Sequence, residues 1–256
     1  MSNKEKAIAV ISSIETGDPE AINYINAEQY TQHNLAVADG LAGFGEVLQA
    51  LPEGSAKARV KRAFQDDNYV VLHTEYNFFG PKVGFDVFRF EDGKVVEHWD
   101  NLQAIAPANP SGHTQLDGST TITDLDKTAE NKAIVADFVK TILMNGDMSQ
   151  INKFIDSEDS AYIQHNPNIG DGLSGLGKAL EEMANAGLTM KYDTNHKVLG
   201  EGNFVLSISE GVFANEHVAV YDLFRLENGK IVEHWDVIEN IPPRSEWKNN
   251  NGKFGF

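Results

Sequence analysis

The chain has no cysteine among its 256 residues. Disulfides, thiolate catalysis and cysteine-ligated metals are therefore excluded. Positive charge is scarce as well: 21 Lys and Arg stand against 38 Asp and Glu, a formal net charge of −17. A field of that sign repels phosphate backbones and argues against a nucleic-acid partner. It also keeps a surface soluble without any further role. No apolar run approaches the roughly 20 residues that a membrane-spanning helix needs, so no membrane partner is expected. Met1-Ser-Asn-Lys-Glu-Lys6 leads into an amphipathic stretch without a small-residue cleavage pattern, and the expected location is the cytoplasm.

What the chain does contain, it contains twice. Asp86-Val-Phe-Arg-Phe-Glu-Asp-Gly-Lys-Val-Val-Glu-His-Trp-Asp100 recurs as Asp222-Leu-Phe-Arg-Leu-Glu-Asn-Gly-Lys-Ile-Val-Glu-His-Trp-Asp236, at an offset of 136. Tyr30-Thr-Gln-His-Asn34 recurs as Tyr162-Ile-Gln-His-Asn166, at an offset of 132. A period this long is a duplicated domain, since solenoid repeats run roughly 20–50 residues. The expected division is a first domain at 1–105, a linker at 106–127 rich in Pro, Gly, Ser, Thr and Asp, and a second domain at 128–256 that includes the C-terminal tail.

Each copy reads as helices followed by strands. Ala7, Ile8, Val10, Ile11 and Ile14 share one helical face over 4–14, and Gly17, Asp18 and Pro19 end that helix and start a short one over 21–27. In the second copy Thr128 is the expected N-cap of a helix carrying Ile134, Val135, Phe138, Val139, Ile142 and Leu143, with a short helix at 151–155. Third helices are expected near 42–51 and 174–186. The clearest strands are 69–73, 85–90 and 95–102, then 204–209, 218–226 and 231–238. Asp92-Gly93 and Asn228-Gly229 between β-rich runs signal hairpins. The fold class is α+β, with about three N-terminal helices packed on an antiparallel sheet in each copy.

Strand alternation across Asp92-Gly93 places His98 and Asp100 on one face with Val87, and Asp86, Phe88, Glu97 and Trp99 on the other. His234 and Asp236 repeat the pair. A histidine beside a carboxylate suits proton transfer near neutral pH. The plainer readings are structural. Asp39 and Asp171 fit N-caps, Asp86 and Asp222 fit partners of Arg89 and Arg225, and Trp99 and Trp235 fit packing residues. His33, His73, His98 and Asp100 offer metal-ligand chemistry, but no ligand spacing supports a metal.

These blocks resemble the SnoaL-like polyketide cyclases of the nuclear-transport-factor-2-like superfamily, and the Gly-Lys-(Ile/Val)-Val-Glu-His-Trp-Asp strand is the most specific part. The resemblance implies a cone, with three helices on a curved antiparallel sheet around a deep apolar pocket. It implies Asp100 and Asp236 as acid/base residues of an intramolecular aldol-type condensation, assisted by His98 and His234. His33, Asn34, His73, His165 and Asn166 are expected as polar pocket groups. No metal or organic cofactor is implied. The isomerases of this fold keep a carboxylate base near where Asn34 and Asn166 stand, and an amide cannot replace it. The expected ligand is a small apolar carbonyl compound, and the alternative is a non-catalytic binder of a hydrophobic ligand or a protein-interaction module. An intramolecular pseudo-dimer is expected, with the Trp99/Phe88 and Trp235/Phe224 faces meeting.

Overall fold

The computed structural model describes residues 1–51 and 56–256. They divide into two compact units, Met1–Ile105 together with Ile241–Phe256, and Ala106–Asn240. This corrects the expected boundaries. The tail grouped with the second domain belongs to the first unit, and the linker belongs to the second.

In the first unit, helix α1 (Asn3–Thr16) starts at a Ser2/Glu5 capping box and ends at Gly17, whose φ of 67° suits a residue without Cβ. The short helix expected over 21–27 is a 3-10 turn, Pro19–Tyr24, with Asp18 as its cap and Pro19 at its first position. Strand β1 (Thr31–Gln32) precedes helix α2 (Gly40–Ala50), and strands β2 (Lys57–Asp66), β3 (Tyr69–Asn77), β4 (Pro81–Glu91) and β5 (Lys94–Ala104) complete the unit. The sheet order is β1-β5-β4-β3-β2, antiparallel except for the β1–β5 pair.

The second unit repeats this plan. Its helix α3 (Thr128–Phe138) continues as a π-helix over Val139–Met144, and helices α4 (Ile151–Phe154) and α5 (Gly172–Asn185) follow. Thr128 is the first helical residue, not the cap: its hydroxyl donates to the carbonyl of Leu125 and accepts from the amide of Gly202. Strands β6 (Ile163–Gln164), β7 (Met190–Glu201), β8 (Phe204–Phe213), β9 (Glu216–Glu227) and β10 (Lys230–Asn240) order as β6-β10-β9-β8-β7. No described helix is long and apolar enough to cross a membrane. Helices and one sheet face bury the cores, built around Val10, Ile11, Phe44, Leu72 and Phe88 in the first unit and Val135, Phe138, Phe154, Val205 and Phe224 in the second.

Each hairpin carries a β-bulge. Phe90 pairs with Val95 but Arg89 pairs with Glu97, so Val96 is an extra residue; Val232 is its counterpart between Ile231 and Glu233. A one-residue insertion exchanges the faces of everything beyond it. Asp86 therefore opposes Asp100 and Phe88 opposes His98, whereas Trp99 opposes Val87. The expectation that Asp86 and Phe88 share the Trp99 face is corrected.

The straps are a third repeated element. Asn109-x-x-Gly112 and Asn249-x-x-Gly252 lie 140 residues apart. In each, the Asn Oδ1 accepts from the amide two residues on, at 3.0 Å, and the Gly has positive φ, 89° and 80°. Asn249 Nδ2 donates to the carbonyls of Asn34 and Val37 at 2.7 and 3.0 Å. Asn109 Nδ2 donates to those of Gln164 and Ile169 at 2.6 and 2.9 Å. Phe256 stacks on Trp99 at 4.3 Å, while Trp235 Nε1 donates to the carbonyl of Asp117. The chain thus seats its linker strap in the second unit and its tail strap in the first.

Candidate functional site

On the helix side of each sheet lies a buried polar cluster. In the first unit, His98 Nε2 is 3.2 Å from Asp86 Oδ1 and His98 Nδ1 is 3.1 Å from Gln32 Oε1. The Asn34 amide also donates to Gln32 Oε1, at 2.8 Å, which fixes the orientation of that side-chain amide. Asp86 Oδ2 accepts from the Tyr76 hydroxyl at 2.6 Å. Asn34 Nδ2 donates to Asp100 Oδ2 at 2.7 Å, and Asp100 Oδ1 is buried without a hydrogen-bond partner.

The second unit reproduces this arrangement. His234 sits 3.0 Å from both Asp222 Oδ1 and Gln164 Oε1. Asn166 Nδ2 donates to Asp236 Oδ2 at 2.7 Å, and Asp236 Oδ1 is again buried and unpartnered. Buried polar atoms of folded proteins are almost always paired, so a carboxylate oxygen without a hydrogen bond at the same place in both units, with Lys253 Nζ at 3.9 Å in the first alone, is a feature of the site.

Burial sets the electrostatics. It pushes the Asp236 carboxyl above the ordinary aspartate range, with the charge of Asp222 adding to the rise and His234 opposing it. Burial likewise raises Asp86 against the pull of His98. For His234 burial favours the neutral ring, but the hydrogen bond and charge of Asp222, with the charge of Asp236, outweigh it and raise the imidazole. Both ring nitrogens of His234 thus face oxygens, of Asp222 and Gln164, and Asp236 is the carboxyl left available.

The hydroxyl on the inner aspartate comes from different strands. In the first unit it is Tyr76 of β3. The corresponding position in β8 is Gly211, and Tyr192 of β7, paired with Gly211, supplies the phenol at 3.2–3.3 Å from Asp222. A Cβ on Gly211 would lie 2.0 Å from the Lys191 carbonyl and 3.2 Å from Tyr192 Cα. In β2, Ala58 stands where Tyr192 does. The residues exchange strands and the phenol stays, with its own ionisation pushed far up by burial in both units.

His98, Asp100, Asn34 and their counterparts His234, Asp236, Asn166 are therefore brought together. His33, His165 and His73 are not. His33 stacks on Trp99 at 4.6 Å, and its Nε2 lies 2.9 Å from Glu97 on the opposite sheet face. His165 does the same with Trp235 and Glu233. Glu97 and Glu233 are held below the usual carboxylate range: burial would raise them, but His33 with Arg89 and His165 with Arg225 prevail. His73 lies on that same outer face, stacked on Phe85, with Arg62 Nη1 donating to its Nδ1. Asp39 and Asp171 stand at N-cap positions but make no capping bond; their Oδ1 atoms accept from the amides of Gln32 and Gln164. Asp86 pairs with His98 rather than Arg89, which binds Glu97 and Glu91.

Gln32 and Gln164 were legible as repeated residues of the Gln-His-Asn block, though not as orienters of the histidine. Tyr76 and Tyr192 carried no repeat signal, since they are not equivalent in sequence. Asp86, His98 and Asp100, and likewise Asp222, His234 and Asp236, bring ligand atoms within 4.8 Å of one another. Tyr, Gln and Asn hydrogen bonds already orient these groups, as in a proton-handling set. A cavity of about 830 Å³ opens in the first unit against Ile14, Ile22, Phe44, Leu48, Leu51 and Ala56; Asp100 and His98 are not among its lining residues.

Residues 7–98 match the model of the SnoaL-like domain. No curated protein matches the chain. Among solved structures, the chain is similar to TsrD from Streptomyces laurentii, at 17% identity over 39% of this chain and 86% of that one, TM-score 0.34. It is similar to an uncharacterized cystatin-fold protein from Novosphingobium aromaticivorans, at 23% identity over 39% and 97%, TM-score 0.35. A putative ketosteroid isomerase from Kribbella flavida matches at 15% identity over 46% and 90%, TM-score 0.36. The matched segment is thus a SnoaL-like domain, and its sequence blocks recur in the second unit on the same α+β plan.

Proposed function

We propose that the protein moves a proton at the carbon beside the carbonyl of a small apolar compound, without an organic cofactor, in the manner of the cyclases and isomerases of its family. The observation that carries this reading is the buried, unpartnered Oδ1 of Asp236, in a carboxylate whose other oxygen an Asn amide holds in place; Asp100 repeats the arrangement with Lys253 Nζ 3.9 Å from its Oδ1. A carboxylate raised by burial is a stronger base than one in water and is matched to a weakly acidic C–H. The abstracted proton would reside on Oδ1 and return to carbon or to the newly formed oxygen, leaving the carboxylate as it began. Asp222 and His234 form a hydrogen-bonded pair beside it, and Tyr192 donates to Asp222. Whether the enolate so formed closes a ring depends on a second carbonyl in the substrate.

The test uses exchange rather than a known substrate. A panel of small aromatic and alicyclic ketones is incubated with the protein in D2O, and loss of α-proton signal is followed by NMR. Catalysed exchange is expected for at least one member and is expected to vanish in Asp100→Asn/Asp236→Asn with the melting transition kept. Exchange that the double variant retains would end the assignment.

A second reading has its own support. The 830 Å³ cavity has the size of a small-ligand site, with a wall that mixes Ile14, Phe44 and Leu48 with Glu15, Asp18 and Gln49, and Asp100 and His98 do not line it. On that reading the chain is a carrier, and the panel would raise the melting temperature without any exchange.

A further inference from the structure

We infer that the linker strap of the second unit forms a site for a Zn2+-class divalent cation, built from His113, Asp117 and His165. One ligand atom from each of these residues lies within 4.8 Å of the others. His165 Nδ1 is 2.7 Å from Asp117 Oδ1 and 2.8 Å from the Thr114 carbonyl, while its Nε2 is 2.9 Å from Glu233 Oε1. All three neighbours are oxygen acceptors, an arrangement that either two N–H groups or a cation at Nδ1, with Nε2–H donating to Glu233, would satisfy.

That second contact is what a metal-bound histidine ordinarily has: a carboxylate on its far nitrogen that fixes the tautomer and aims the lone pair. Glu233 is itself anchored by Arg225 Nε at 2.5 Å. His113 approaches from the strap with its ring 5.4 Å from that of His165, and its Nε2 is 3.1 Å from Asp171. Asp117, Asp171 and Glu233 outnumber Arg225, so positive charge is wanted here. Two imidazoles, a carboxylate and a carbonyl suit a borderline cation, with metal–nitrogen distances of about 2.0–2.1 Å. Seating it requires both Asp117 Oδ1 and the Thr114 carbonyl, at 2.7 and 2.8 Å from Nδ1, to draw back. His113 and Asp117 side chains are 33% and 45% exposed, which gives the ion its way in.

The first unit is the internal control. It keeps the His33–Glu97–Arg89 relay, but its strap offers the Gly252 carbonyl and Lys253 where the other offers His113. Lys253 turns its ammonium to Asp100 Oδ1, at 3.9 Å, so the first unit lacks the second imidazole. The other exposed histidine pair, His196 and His217, closes on Glu210 at 2.8 and 2.7 Å and is the competing chelator to be eliminated.

The experiment is calorimetric titration of the untagged, chelator-stripped full chain with ZnCl2, with Co2+ absorption as a check on tetrahedral coordination. One equivalent is expected to bind at micromolar concentration or tighter. His113→Ala and Asp117→Asn should each weaken it at least tenfold with the melting temperature of the metal-free chain nearly unchanged, and His217→Ala should leave it intact. Absence of binding at 100 µM Zn2+, equal affinity in His113→Ala and Asp117→Asn, or loss of binding in His217→Ala would each overturn the site.

Discussion

The two units agree where chemistry is at stake and differ where closure is at stake. Both set an aspartate–imidazole pair beside a second aspartate with one oxygen free of hydrogen bonds, with Gln and Asn amides orienting them. Both bring a tyrosine hydroxyl to the inner aspartate, although the tyrosine stands on different strands. A folding signature is satisfied by keeping a residue in its place. Keeping a group in space while its residue moves is what a site requires. The straps, by contrast, share only the Asn-x-x-Gly turn. One delivers Phe256 and Lys253, the other His113 and Asp117. The paired carboxyls differ accordingly. Lys253 Nζ stands 3.9 Å from Asp100 Oδ1, and Asp236 Oδ1 lies buried and unpartnered with the Asp236 carboxyl raised.

The largest effect that breaks this comparison is removal of one strap. Deleting 248–256 strips the first unit of the Phe256–Trp99 stack and the Asn249, Asn251 and Gly252 hydrogen bonds. At about 1 kcal/mol for each such contact, that unit should lose on the order of 3–5 kcal/mol. Urea denaturation followed by hydrogen exchange should show β5 amides losing protection while those of β10 keep theirs.

The tyrosine pair gives a smaller and more telling contrast. Tyr76→Phe leaves the buried Asp86 Oδ2 without its 2.6 Å donor and should cost about 1–3 kcal/mol. Tyr192→Phe, whose contacts are 3.2–3.3 Å, should cost less in the same assay. Equal costs would mean that the strand exchange is incidental.

The smallest effect is on pH. His234 is raised above 6.5 in the folded chain, so its contribution is complete below 6.5 and is lost as pH rises through the folded value. Glu97 is lowered, so its contribution is complete above 4.5 and is lost as pH falls through its folded value. His234→Gln should therefore flatten the alkaline limb of the urea-midpoint profile alone, and Glu97→Gln should remove a stabilisation lost in acid, which protonation of the raised Asp86 and Asp236 opposes.

Much of this was legible beforehand because duplication marks the residues that both copies need. The hairpin turns, the shared face of His98 and Asp100 and the order of helices before strands could be read from it, but not that His98 bonds Asp86 rather than Asp100. The bulge could not. Val95-Val96 and Ile231-Val232 are apolar pairs in which an extra residue leaves no break in the pattern, and Asp86 was consequently set on the wrong face. His33 and His165 were grouped with the pocket because they adjoin Asn34 and Asn166. Alternation along the short strand and the turn after it sends them instead to Trp99 and Trp235. The straps had a signal, Asn-x-x-Gly at an offset of 140, but it lies in segments whose composition reads as loop. Which unit each strap serves is a tertiary fact without a local trace.

The most direct test of the central claim is the titration of Asp236 itself. The carboxyl carbon, labelled with 13C in all aspartates and assigned by its disappearance in Asp236→Asn, is followed by NMR across the acid and neutral range. A midpoint above the ordinary aspartate value near 3.8 is predicted, as burial and the charge of Asp222 require. A midpoint at or below it would contradict the account, since Asp236 would then be one more stabilised buried anion and not a base held ready.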